Sequence, residues 1–149
     1  MPITASALAF ILAAAAGIAM AVQGSMNSGL AKIIGLLEST LLVHGSAAII
    51  TFGLLFIPWF NKGNFAKMGE ASWYLYLGGL IGVLITYWVV ASISKLGVAN
   101  ATTLIIVGQV SAAFLIDCLG LFGLERVEFA WYKLLGLGLL AAGARVLLQ

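Results

Sequence analysis

The sequence predicts an all-α integral membrane protein with five transmembrane helices, and three observations carry that expectation. Of 149 residues, 63% are apolar and 8% charged, whereas an average soluble domain is about 45–50% apolar and about 25% charged. Mean hydropathy is +1.16. The charges fall between long uncharged stretches rather than inside them. Seven Lys and Arg and five Asp and Glu cannot cover the surface of a water-soluble chain of this length. Cys118 is the single cysteine and the net charge is +2, which excludes a disulfide scaffold and a nucleic-acid partner.

A helix needs roughly 20 apolar residues to cross a bilayer. Residues 3–31 form the first such stretch, ending at Lys32. No basic residue precedes it, and it outruns the apolar region of about 7–15 residues in a signal peptide. Residues 41–60 form the second, with Glu38 before it and Asn61 and Lys62 after it. Residues 73–94 form the third, closed by Lys95, and residues 99–119 the fourth, holding one charge, Asp117. Residues 129–148 form the fifth, with Lys133 and Arg145 near its ends, where long side chains snorkel. A β-barrel would alternate apolar and polar residues over strands of about ten, and these stretches are continuously apolar. The spans leave no room for a soluble domain, so residues 1–149 read as one transmembrane unit. Residues 61–72 and 120–128 are the polar breaks.

Five spans put the termini on opposite faces. The N-terminal side then carries Lys62, Lys67, Arg126 and Lys133, and the other side Lys32, Lys95 and Arg145. Orientation follows the Lys/Arg excess in short loops, and here there is almost none. Trp59, Trp73, Tyr74, Trp131 and Tyr132 cluster toward the N-terminal side, but aromatic belts occur at both interfaces and do not orient a chain. Either the first helix or a partner fixes one topology, or the chain inserts both ways and pairs with an inverted copy. The second reading is favoured: an antiparallel pair of ten helices, made with a second copy or with a paralogue, since inverted repeats underlie many transporters.

Polar side chains within a span face protein or a water-filled cavity. Gln23 lies nine residues before Lys32, and Gln109 nine after Asn100, so each sits roughly 13 Å deep from the same side at about 1.5 Å per residue. Asn27 follows Gln23 by four and shares its face with Met20 and Gly24. Asp117 lies on the face of Gln109 through Ala113, near the N-terminal side. His44 stands about five residues into the second span, near the opposite side, with Glu38 just outside it. Gln23, Asn27, Gln109 and Asp117 are the candidate substrate-binding residues, and Asp117, His44 and Glu38 the candidate proton-coupling ones. For each a plainer reading stays open: interhelical hydrogen bonding for the amides, an interfacial cap for Asp117, a packed neutral ring for His44, and a span-start charge for Glu38. Cys118 reads as packing. Gly78 and Gly82, with Gly79 and Thr86 in the same row, form a G-x-x-x-G, and Gly136, Gly138, Gly143, Gly17 and Gly24 add small faces that predict close helix approach.

No phosphate-binding loop, H-E-x-x-H or G-x-S-x-G occurs. One histidine and one cysteine do not make a typical metal site. No enzymatic activity, cofactor or metal is expected.

Three segments resemble the YdcZ-type family of the drug/metabolite transporter superfamily. They are Ala16-Gly17 through Gln23, Asn27 and Leu30; Leu77-Gly78-Gly79-Leu80-Ile81-Gly82; and Gly108-Gln109 through Ile116-Asp117-x-x-Gly120-Leu121-Phe122-Gly123. The resemblance covers essentially the whole chain, and its last block is the most specific. It implies a five-helix half-transporter of the bacterial inner membrane, working as an antiparallel dimer with the first four helices around a central cavity. By motif, Gln23, Asn27, Gln109 and Asp117 line or support that cavity. The chain lacks the helix-one glutamate of the small multidrug resistance family, which argues against cation export by that mechanism. The expected function is a secondary transporter that exports a small polar or amphiphilic metabolite by alternating access. The alternatives are a lipid-binding or lipid-flipping protein, or a noncatalytic subunit of a larger membrane complex.

Overall fold

Hydrocarbon offers the backbone no hydrogen-bond partner, so each uncharged stretch winds into a helix that satisfies its own N–H and C=O groups. The computed structural model describes residues 3–59 and 63–149, with side chains from residue 7 onward. Phe60, which ends the second expected span, and Asn61 and Lys62 of the following loop lie outside the described residues. Among the described residues the α-helices are α1 (Ile3–Ile34), α2 (Leu36–Leu54), α3 (Gly78–Leu96), α4 (Val98–Leu119) and α5 (Trp131–Leu147). Among the described residues four segments have the length and composition to cross a membrane: Ala7–Ile34, Leu36–Leu54, Trp73–Leu96 and Val98–Leu119. α5 has 17 residues, because the chain is still extended at Ala130 (φ −121°, ψ 114°).

α1 and α2 are separated by one residue, Gly35, and α3 and α4 by one residue, Gly97. The two joints share a conformation, φ 104°, ψ 156° at Gly35 and φ 80°, ψ 165° at Gly97, a region open almost only to glycine. Each joint closes the helix before it and opens the helix after it. Gly35 N–H donates to Ala31 O (3.0 Å) and its carbonyl accepts from Ser39 N (3.1 Å); Gly97 does the same with Ile93 O (2.9 Å) and Ala101 N (3.1 Å). Four residues past each joint the side chain is small and buried, Ser39 and Ala101.

The joint at Gly35 corrects one expectation. α2 starts at Leu36 rather than near residue 41, because its polar first turns are satisfied locally. Ser39 and Thr40 hydroxyls donate to Leu36 O (3.0 and 2.8 Å), and the Glu38 carboxylate folds back over Gly35, at the end of the helix where its dipole favours negative charge. His44 is therefore the ninth residue of a 19-residue helix, at its middle and not near one face.

The chain forms two compact units, Met1–Ala91 and Ser92–Gln149. In the first, α1 packs on α2, and its buried polar set is Asn27, Ser28, Ser39 and Thr40, while Phe10, Ile18, Leu41 and Ile49 face outward. Polar groups inside and apolar groups outside is the arrangement lipid selects. Between α2 and α3, a 3₁₀ turn at Phe65–Glu70 lies within the expected polar loop, and a second at Trp73–Leu77 forms the start of the expected third span. Asn64 Oδ1 accepts from Ala66 N (2.9 Å), and the Tyr76 hydroxyl donates to Met68 O. In the second unit α4 packs on α5, and Ile93, Ala101 and Ala144 are buried.

The glycine faces do not serve as expected within the chain. A Cβ added at Gly17, Gly78, Gly79, Gly136, Gly138 or Gly143 would meet nothing within 4 Å. No helix of either unit uses them for close approach.

Candidate functional site

One turn of α1 separates Gln23 from Asn27, so both amides project from the face that also carries Met20 and Gly24. That face fronts Ile85, Thr86 and Val89 of α3 across a small cleft of about 70 Å³. Asn27 is 8% exposed, hence held between the helices. Among the described residues neither amide has a hydrogen-bond partner. An amide that ties two helices together needs such a bond, and none is present among the described residues of this unit. Their donors and acceptors are free to bond whatever enters the cleft.

The opposite wall has a second layer. His44 Nε2, on α2, lies 3.1 Å from Thr86 Oγ1, with the direction of donation set by the ring tautomer. One turn before Thr86 is Gly82, where an added Cβ would sit 3.6 Å from His44 Cε1. The small-residue row of α3 thus seats an imidazole rather than another helix backbone. The cleft and the group behind it hold amides, a hydroxyl and an imidazole, and no carboxylate.

The structure brings Gln23, Asn27 and His44 together through Thr86. The sequence reading counted Thr86 only as a small residue, although it lies nine residues before Lys95 and so at the depth that singled out Gln23. Gln109 is exposed on α4 and lines neither this cleft nor the α4–α5 pocket. Glu38 stays at the start of α2 against Gly35, six residues before His44.

Asp117 belongs to the other unit. There a pocket of about 370 Å³ between α4 and α5 is lined by Asp117, Phe114, Val110, Lys133 and Leu137 among others. The G-L-F-G turn follows Asp117 at the end of α4. Gly120 ends α4 at φ 63°, ψ 41° and its N–H bonds Ile116 O, Val127 N–H returns to Asp117 O (2.9 Å), and Arg126 Nε donates to Cys118 O (2.9 Å). The arginine places positive charge on the last carbonyls of α4, as the helix dipole favours. Phe129 packs on Phe114 with ring centroids 5.7 Å apart. Among the described residues no group of three His, Cys, Asp or Glu side chains is placed to hold a metal ion.

Apolar helices long enough to cross a bilayer, with polar groups enclosed between them, define an integral membrane protein and fit a transporter. Over residues 8–146 the chain matches the family described as "Putative inner membrane exporter, YdcZ", and it belongs to that family. It is thereby a protein of the bacterial inner membrane, in the family that the Gln109 to Gly123 block resembles. No curated protein and no solved structure matches the chain.

Proposed function

We propose that this protein is a secondary transporter that exports a small polar or amphiphilic metabolite through the α1–α3 cleft by alternating access. The observation that carries the reading is the pair of uncommitted amides, Gln23 and Asn27, facing Thr86 across a mid-helix cleft. A cleft without a carboxylate favours a neutral or anionic polar group over a cation, because a cation leaving water needs a compensating negative charge. His44, bonded to Thr86, is the group through which a proton gradient would act; Asp117 and Glu38 are not among the residues that line the cleft.

The functional unit in this proposal is an inverted pair, with a second copy or a paralogue, each protomer contributing five spans. The near balance of Lys and Arg between the two faces supports it, as do the glycine faces with open space beside them. Exposed Gln109 is then available to a partner's helix. A lipid-handling role is the second reading, favoured by the charged rim and apolar wall of the α4–α5 pocket.

Proteoliposomes screened with labelled sugars, amino acids and nucleosides under an imposed proton gradient test the proposal. Gradient-driven flux of one class is expected, lost in Gln23→Ala and in Asn27→Ala, with His44→Gln losing the response to the gradient. Flux that survives Gln23→Ala combined with Asn27→Ala overturns the site. Cysteines introduced at residues 67 and 149 report topology: labelling of each from both faces supports a homodimeric inverted pair, and one-sided labelling removes it.

A further inference from the structure

Asp117 and Lys133 stand at the wrong ends of their helices. Asp117 is in the last turn of α4 and Lys133 in the first turn of α5, where the helix dipoles disfavour a carboxylate and an ammonium respectively. Neither is there to stabilise its own helix. No ion pair joins them, although both are described residues and both line the same pocket. Lys133 Nζ instead lies 6.0 Å from the centre of the Phe114 ring, the outer limit of cation–π attraction. The pocket therefore presents one negative and one positive group, each without its counter-charge, from two facing helices.

Below the charges the wall becomes apolar. Val110 lies seven residues up α4 from Asp117, and Leu137 four residues along α5 from Lys133, so the apolar wall runs inward by roughly 6–10 Å at about 1.5 Å per residue. Phe129, Trp131 and Tyr132, which precede Lys133 in the chain, are exposed, the aromatic side chains typical of the headgroup level. A head with both charges above a short apolar section is the complement of a zwitterionic amphiphile.

We propose that the α4–α5 pocket binds the headgroup of a zwitterionic lipid bearing a primary ammonium and a phosphate, with Asp117 receiving the ammonium, Lys133 the phosphate, and Val110 and Leu137 the first part of an acyl chain. The site belongs to the second unit; it deepens the lipid-handling reading and rests on it, and does not rest on the transport reading.

Full-length protein in detergent, given dioleoyl phosphatidylethanolamine, phosphatidylcholine or phosphatidylglycerol and read by native mass spectrometry, tests it. The ethanolamine lipid is expected to be retained about tenfold better than the other two, since choline cannot donate hydrogen bonds to Asp117 and glycerol carries no ammonium. Asp117→Asn and Lys133→Gln are each expected to lose about tenfold, the weight of one charge-assisted bond. Gly136→Leu keeps both charges but fills the pocket; a Cβ there meets nothing within 4 Å, so the helix tolerates it, and the lipid is expected to be lost. This variant carries the test if Asp117→Asn does not fold. Equal retention of the three lipids, or retention unchanged by the variants, overturns the proposal. Soluble phosphoethanolamine that competes as well as the lipid and still binds Gly136→Leu overturns the acyl-chain assignment.

Discussion

His44 Nε2 stands 3.1 Å from the hydroxyl of Thr86, which joins the middle of α2 to the wall of the α1–α3 cleft. The contact makes the one histidine of the chain part of the site even though it does not itself line the cleft. Interhelical bonds of this kind in membrane proteins average about 0.6 kcal/mol and reach about 1.7 kcal/mol. A double-mutant cycle of Thr86→Val and His44→Gln, read by unfolding in mixed micelles, is expected to give a coupling in that range. A coupling indistinguishable from zero would mean that the two groups are neighbours without being partners.

Gly82 controls where the imidazole sits. Gly82→Ala would add a methyl at ordinary contact distance from His44 Cε1, 3.6 Å, and is expected to change stability by less than about 0.5 kcal/mol. Gly82→Leu pushes the ring off Thr86 and is expected to cost about 1–3 kcal/mol. It should also remove the extra effect of Thr86→Val, a loss of additivity seen in the same unfolding experiment.

The joints Gly35 and Gly97 should respond unequally to alanine. Both hold a backbone region that costs a side-chain-bearing residue about 1–3 kcal/mol. At Gly97 an added Cβ meets nothing within 4 Å, whereas at Gly35 it collides with the Glu38 carboxylate. Because that carboxylate is the end of a flexible side chain and can swing aside, Gly35→Ala is expected to be the more destabilising by less than about 0.5 kcal/mol, and Glu38→Ala to recover that difference in the Gly35→Ala background. Equal costs with no recovery would remove Glu38 from the joint.

The α4 terminus offers a matched pair. Gly120 and Gly123 both have positive φ, 63° and 81°, but an added Cβ at Gly120 comes to 3.1 Å from Arg126 Cβ while at Gly123 nothing lies within 4 Å. Gly120→Ala is expected to cost the left-handed penalty of about 1–2 kcal/mol plus the displacement of Arg126 from Cys118 O. Gly123→Ala should cost the penalty alone, and thermal unfolding of the two variants checks the order.

How much of this was legible beforehand depends on what each feature rests on. The spans follow from hydropathy, because lipid leaves an apolar segment no option but to satisfy its own backbone, and the helices α1, α3 and α4 lie close to where the uncharged stretches put them. The start of α2 was misread because Glu38, Ser39 and Thr40 look like a polar linker; side-chain bonds to Leu36 O and the fold of Glu38 over Gly35 make them helical instead. Gln23 and Asn27 were legible as one face from their spacing of four. The motif around Asp117 was visible as a pattern, but its glycines are the C-terminal cap of α4 and its aspartate faces Lys133 across a pocket.

The sequence alone determined the solvent of this protein, the approximate course of its long apolar helices and the helix face that carries the amides, because these depend on composition and on fixed helical periodicity. Only the tertiary structure decided that Thr86, which is bonded to His44, lines the same cleft as Gln23 and Asn27, that Gly82 of α3 lies against an imidazole, and that Asp117 shares a pocket with Lys133. Those relations join residues 16 to 63 positions apart. No periodicity reaches that far; it takes the packing of one helix against another to set them.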